Sequence, residues 1–169
     1  MAKNARYSVH FRRRREGKTD YRYRLRLLHM EEPRLVVRKT NTKIIVQVAE
    51  YSPEGDRIRA QATSDELTKL GWTTSTATVP AAYLTGLLLG KRAIAAGLGT
   101  AVLDAGLGKP TRGGRIFSAM QGAVDGGLEV PHGEEVIPAE ERLRGEHLGK
   151  GVPELFDKVK DKIMKEGAQ

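Results

Sequence analysis

The chain contains no cysteine. Disulfides, thiolate metal sites and cysteine nucleophiles are thereby excluded, and a reducing cytoplasm is a compatible setting. Long hydrophobic runs are also missing. The most apolar stretch, residues 79–89, is broken by Pro80, Thr85 and Gly86 and stops at Lys91 and Arg92, well short of the roughly 20 residues that a membrane span needs. The start, MAKNARYSVHFRRRR, has positive charge with no apolar stretch behind it, so neither a secretory signal nor a membrane anchor is expected.

Catalytic and metal motifs are present only as imitations. Residues 86–92, GLLLGKR, resemble a phosphate-binding loop but are one residue short. They lack the hydroxyl residue after the lysine, and they fall inside an expected helix. His132, Glu134, Glu135, Glu140, Glu141, Glu146 and His147 could in principle ligate a metal, yet none of the dense metalloprotease spacings occurs. Asp104 ends an expected strand, where catalytic carboxylates often sit, but has no evident acid or base partner. It is better read as a cap for the following loop. No cofactor and no metal is expected.

What is present is a positive charge concentrated at one end. The 169 residues carry a net charge of +8. Residues 1–29 hold ten Lys and Arg (Lys3, Arg6, Arg12, Arg13, Arg14, Arg15, Lys18, Arg22, Arg24 and Arg26) against Glu16 and Asp20. The rest of the chain is neutral, with 19 basic and 19 acidic side chains. A separate basic segment on a neutral body points to a polyanion. An inert solvated tail would be the alternative, but Tyr7, Phe11, Tyr21 and Tyr23 interleave the arginines, which suits stacking on RNA bases.

An apolar content of 39% over this length allows one core. We read residues 1–29 as a basic RNA-binding arm that becomes fully ordered with a partner, 30–131 as an α/β core, and 132–169 as a C-terminal extension ending in an amphipathic helix. RLVVRKT, KIIVQVAEY and RIRAQAT read as three strands of an antiparallel meander. Thr40-Asn41-Thr42 makes the first turn through a positive φ at Asn41, and residues 52–56 make the second. In the third strand Ile58, Ala60 and Ala62 alternate with Arg57, Arg59 and Gln61, predicting one buried and one wet face.

Ser64 reads as the N-cap of a short helix ending near Gly71. Pro80 opens a longer helix to about Ala96, stopped by Gly97. Residues 100–104 read as a buried strand, 115–125 as an amphipathic helix closed by Gly126 and Gly127, and 128–130 as a last strand. Crossovers of this kind imply parallel pairing, hence a mixed β-sheet, an antiparallel three-strand meander followed by a βαβ-type crossover, covered by helices. In residues 153–165 the apolar Leu155, Phe156, Val159 and Ile163 share one helical face with Val152 just ahead of them.

Three segments carry the RNA expectation. The arm offers Arg6, Tyr7, Phe11, Arg12, Arg13, Arg14, Arg15, Lys18, Tyr21, Arg22, Tyr23, Arg24 and Arg26 for phosphate pairing and base stacking. Arg38, Lys39, Thr40, Asn41 and Lys43 form a tight polar turn. Residues 106–115, GLGKPTRGGR, lead from a strand into a helix N-terminus, where Lys109, Thr111, Arg112 and Arg115 can meet phosphate beside free N–H groups.

The stretches ARYSVHFRRRREGKTDYRYRLRLL, PRLVVRKTNTKIIVQV, PAAYLTGLLLGKRA, AVLDAGLGKPTRGGRIFSAMQGAVDGGLEVPH and ERLRGEHL resemble, in order, the archaeal-type ribosomal large-subunit protein eighteen family, relatives of eukaryotic large-subunit protein five. The resemblance implies a non-catalytic cytoplasmic protein of the large subunit. It would bind 5S ribosomal RNA in the central protuberance, touching the large ribosomal RNA and neighbouring ribosomal proteins, including the other 5S-associated protein. Two other readings stand beside it. One is a general RNA chaperone; the other is a small α/β enzyme acting on a phosphorylated metabolite near Asp104 and Thr111.

Overall fold

A computed structural model describes residues 6–149 and 151–166. Residues 1–5 of the expected arm, including Lys3, and residues 150 and 167–169 of the expected extension lie outside the described residues. The sheet contains β1 (Arg34–Lys39), β2 (Ile44–Glu50), β3 (Arg57–Thr63) and β4 (Val102–Asp104). Its order is β3-β2-β1-β4. The first three strands are antiparallel neighbours, and β4 lies parallel to β1 in the register Leu35 to Leu103. The sheet is therefore mixed, as the crossover pattern requires.

The helices are α1 (Arg12–Arg15), α2 (Tyr21–Leu28), α3 (Val79–Ala95), α4 (Arg115–Asp125), α5 (Glu140–Arg144) and α6 (Val152–Glu166). None is long and apolar enough to cross a membrane. Helix α3 is apolar nearly all round because it is covered nearly all round. It packs on β2 and β3 and against α4 and α6, and every residue from Val79 to Gly90 is buried. The GLLLGKR stretch belongs to this helix, and its glycines serve packing. A Cβ at Gly86 would strike the Ala119 carbonyl of α4, and one at Gly122 the Tyr83 carbonyl of α3. Bare backbone at these positions lets the two helices meet closely.

Several local features depart from the sequence reading. Asn41 has no positive φ; Glu31, at 56°, is the only non-glycine among the described residues that has one. The β1–β2 turn is closed instead by Thr40. Its N–H donates to the Lys43 carbonyl (2.8 Å), and its Oγ1 accepts from the Lys43 N–H (2.9 Å). The short helix after β3 is a 3-10 turn, Ser64–Thr68, with Thr63 as its N-cap. Glu66 reaches back to accept from the Thr63 N–H at 2.8 Å, which is the reciprocal half of a capping box. Ser64 serves β2, its Oγ accepting from the Ile44 N–H at 2.9 Å.

Ile58 is 54% exposed, against the expected alternation. A register shift at Val48/Ala49 pairs Ala60 with Val48 but Ile58 with Ala49. The slip of one residue moves Ile58 off the helix-covered face, while Ala60 and Ala62 remain on it. Residues 128–130 form no strand, only a parallel bridge between Thr100 and Glu129. The strand expected over residues 100–104 shortens to Val102–Asp104. In α6, Val152, Phe156, Val159 and Ile163 are buried and join the core against α3.

Candidate nucleic-acid interface

Alternation along β1 sends successive side chains to opposite faces of the sheet. Leu35 and Val37 enter the core under α3 and α4, and Lys39 follows them to that side at the strand end. Arg34 and Arg38 point to the other face, where β4 places Asp104. Arg34 Nη1 donates to Asp104 Oδ2 at 3.0 Å, and Arg38 Nη2 donates to Asp104 Oδ1 at 3.0 Å. Arg38 Nη1 also donates to the Asp104 carbonyl at 2.7 Å. Asp104 Oδ1 further accepts from the Gly106 N–H at 2.8 Å, so it does cap the loop that follows it.

The N-terminal segment lies on this second face. Asp20 caps α2, accepting from the Arg22 and Tyr23 N–H groups. Leu27 is buried, and the Tyr23 hydroxyl donates to the Leu103 carbonyl at 3.5 Å. Arg24 Nη2 donates to Asp56 Oδ1 at 2.7 Å, and Arg34 Nη2 to Asp56 Oδ2 at 2.6 Å. A chain of alternating charge thus runs Arg24, Asp56, Arg34, Asp104, Arg38. Burial alone would raise the Asp56 carboxyl, but hydrogen bonds from Arg24 and Arg34 outweigh it and hold Asp56 below the usual range. Burial, followed by the Asp104 charge, pushes the Tyr23 phenol up.

Between this segment and the strand end lies an open cleft of about 660 Å³, lined on one side by Arg13, Lys18, Tyr21 and Tyr23 and on the other by Arg38 and Leu107. Gly106 borders it at φ 64°, where an added Cβ would come within 2.7 Å of the Arg38 guanidinium carbon. From there residues 106–115 pass around the end of β1. They finish on the opposite face, where Arg115 Nη1 donates to the Ala77 carbonyl at 3.0 Å and to the Thr40 carbonyl at 3.4 Å.

The structure therefore places the 38–43 turn and the 106–115 loop together at one end of the sheet, while the N-terminal segment lies along the adjoining face, bordering Arg38 and Leu107 and anchored at Asp56 and Arg34 toward the other end. Their side chains differ in what they do there. Arg38, Arg24 and Arg115 hold protein groups, while Lys109 and Asn41 are exposed. Arg12 to Arg15, Arg22, Arg26, Tyr7 and Phe11 are exposed too, and the Phe11 ring packs at a tilt of 57° against the half-buried Tyr21, with centroids 5.3 Å apart. Lys43 pairs with Asp65 and Arg112 with Glu135, both at 3.1 Å on the surface. Lys18 pairs with Glu16 at 2.9 Å. Such exposed pairs are worth about 0–1 kcal/mol, so a phosphate can displace them at little cost. Arg6 is exposed, Thr111 is exposed at the loop's outer bend, and Thr40 holds the turn.

Sequence reasoning missed Arg34 and Asp56, which organise the segment's docking, Arg34 from a buried position and Asp56 from the surface. Nothing local marks them, because their partners lie 22 and 70 residues away from Arg34.

A family model described as "Ribosomal large subunit proteins 60S L5, and 50S L18" matches residues 5–99 and 95–133. The chain belongs to this ribosomal large-subunit family. It is 52% identical over 161 residues to large ribosomal subunit protein uL18 of Methanoregula boonei, covering 95% of this chain and 92% of that protein. The uL18 of Caldivirga maquilingensis is 53% identical, over 92% of this chain and 75% of its own. That of Methanococcoides burtonii is 47% identical over 98% and 99%. A member of this family is a structural protein, not an enzyme, and Asp104 is accordingly occupied by Arg34, Arg38 and the Gly106 N–H.

Proposed function

We propose that the chain binds 5S ribosomal RNA and helps attach it to the large ribosomal RNA in the central protuberance of the large subunit, in the cytoplasm. Membership of a ribosomal large-subunit family supports RNA as the polyanion. The observation that carries the reading further is the open cleft in which the basic N-terminal segment borders Arg38 of β1 and the start of the 106–115 loop.

In this reading residues 1–29 are the arm, 30–131 the core that presents the turn and loop, and 132–169 the extension. The exposed arginines of α1 and α2 pair with phosphates, and Tyr7 and Phe11 stack on unpaired bases. Lys39, Asn41, Lys43, Lys109, Thr111 and Arg112 contact the backbone around the strand end, while Arg24, Arg38 and Arg115 hold these parts in place. Neighbouring ribosomal proteins, including the other 5S-associated protein, complete the assembly.

Competition between 5S RNA and transfer RNA for the purified protein tests the assignment. A marked preference for 5S RNA is expected. Equal affinity for both would make the chain a general RNA binder and overturn it.

A further inference from the structure

On the helix-covered face of the same strand end lies a second pocket, of about 290 Å³, lined by Lys39, Thr111, Arg115, Arg142 and His147 and by no carboxylate. The five side chains come from four separate parts of the chain: the end of β1, the loop before α4 with the start of that helix, α5, and the 3-10 turn Glu146–Leu148. Lys39, Arg142 and His147 make no side-chain hydrogen bond or ion pair among the described residues. Elsewhere on the molecule cations are interleaved with acids. The cleft on the other face includes Asp20, Asp56 and Asp104, and the groove beside α6 includes Asp125, Glu140 and Asp157.

We infer that this pocket binds one backbone phosphate of RNA, and that the extension supplies two of its ligands, Arg142 and His147. The inference rests on the RNA-binding reading above. Arg115 is oriented for it: Nη1 is held by the Ala77 carbonyl, and the other guanidinium nitrogens have no partner among the described residues. A charged donor fixed beforehand loses little entropy on binding. Gly114, the N-cap of α4, offers no side-chain cap, so the first-turn N–H groups beside it remain to face an anion. A Cβ at Gly114 would lie 2.6 Å from Thr111 Oγ1, so the glycine leaves room for that hydroxyl at the helix start.

Gly145 delivers the extension to this place. Its φ is 82°, and an added Cβ would lie 2.7 Å from Pro80 Cγ and 2.9 Å from Val152 Cγ1. Only a glycine lets α5 and the following turn close against the start of α3, which sets Arg142 and His147 beside the pocket. RNA fits better than an acidic protein because Lys39 and Arg115 border the 40–43 turn and the loop that the RNA-facing surface already includes.

The double variant Arg142→Gln/His147→Gln removes two exposed, unpaired side chains and should leave the thermal midpoint unchanged. Two measurements test the site. In the RNA-free full chain, inorganic phosphate titrated at constant ionic strength should shift the amide resonances of Gly114, Arg115 and Ile116, and the double variant should abolish those shifts. In 5S RNA binding, the double variant should weaken affinity about tenfold and make the slope of log K against log salt shallower by about 0.7–0.9, the loss of one phosphate contact. Arg57→Gln, exposed at the start of β3, is the control for net charge and should change neither. Wild-type amides that ignore phosphate, or a double variant with wild-type affinity and slope, would overturn the site. The competition with transfer RNA judges the RNA reading separately.

Discussion

Asp104 stands between Arg34, whose side chain is 3% exposed, and Arg38, whose side chain is 42% exposed. The two contacts differ in weight for that reason. Replacing Asp104 with Asn leaves Arg34 buried with Asp56 as its remaining charged partner, and breaking a buried pair from one side costs about 3 kcal/mol; urea denaturation should show a loss of this order. Asp56 answers to pH. Its folded pKa is lowered from 3.8 by Arg24 and Arg34, so its contribution is fully present above that value and is lost as pH falls through the lower, folded one. Protection of the α2 amides against exchange, taken relative to their intrinsic rates, should therefore fall on acidification below about pH 4, the ordinary Asp range. In Asp56→Asn that protection should already be low at neutral pH; an α2 equally protected in that variant would disprove docking through Arg24.

Among the elements, α3 and α4 set the tightest tolerance. Gly→Ala in an exposed helix stabilises by about 1 kcal/mol. At Gly86 the sign should reverse, because the new methyl meets the Ala119 carbonyl and overpacking costs about 1–3 kcal/mol. A lower thermal midpoint for Gly86→Ala checks this. The sequence could show that Gly86 and Gly90 lay in a helix and were therefore no phosphate loop, but not that their absent side chains brought α4 close. Helix α6 carries the opposite lesson. Its apolar face was legible from the spacing of Phe156, Val159 and Ile163, whereas the choice between home and a neighbour was not. Phe156 is 3% exposed and its ring lies 5.4 Å from that of Tyr83. Phe156→Ala should cost about 3–5 kcal/mol in chemical denaturation and leave 5S RNA affinity unchanged under conditions where the variant is folded.

For the whole molecule, the charge distribution controls association. If about six phosphates are neutralised, log K should fall with log salt at a slope of roughly −5, using the duplex coefficient; a nearly flat dependence would contradict an electrostatic interface. Deleting residues 1–29 should weaken 5S RNA binding at least about 100-fold, since most of the exposed cations on the arm face belong to that segment. Filter binding over a salt series reads both. The deletion also removes Tyr23 and Arg24 from the sheet. Arginine-to-glutamine changes at Arg12, Arg13, Arg14 and Arg15, which are exposed and outside the core, leave that docking in place and should still weaken binding and flatten the salt slope.

Charge placement, the period-two and helical patterns, and the order of the family's matching stretches could all be read before any fold was known. Each is a property of neighbours along the chain. That Asn41 keeps an ordinary φ while Thr40 closes the turn could not be read this way, because it depends on which hydrogen bonds the folded hairpin offers. Nor could the departure of Ile58 from the buried face, which follows from a one-residue slip against β2. Folding in three dimensions sorted the cations that hold the protein together from those that stand free. Arg38 and Arg115 look like Lys39 and Arg142 in a sequence. Only tertiary contacts, over separations of 66 residues for Arg38 and 38 for Arg115, give the first two a protein partner that the others lack.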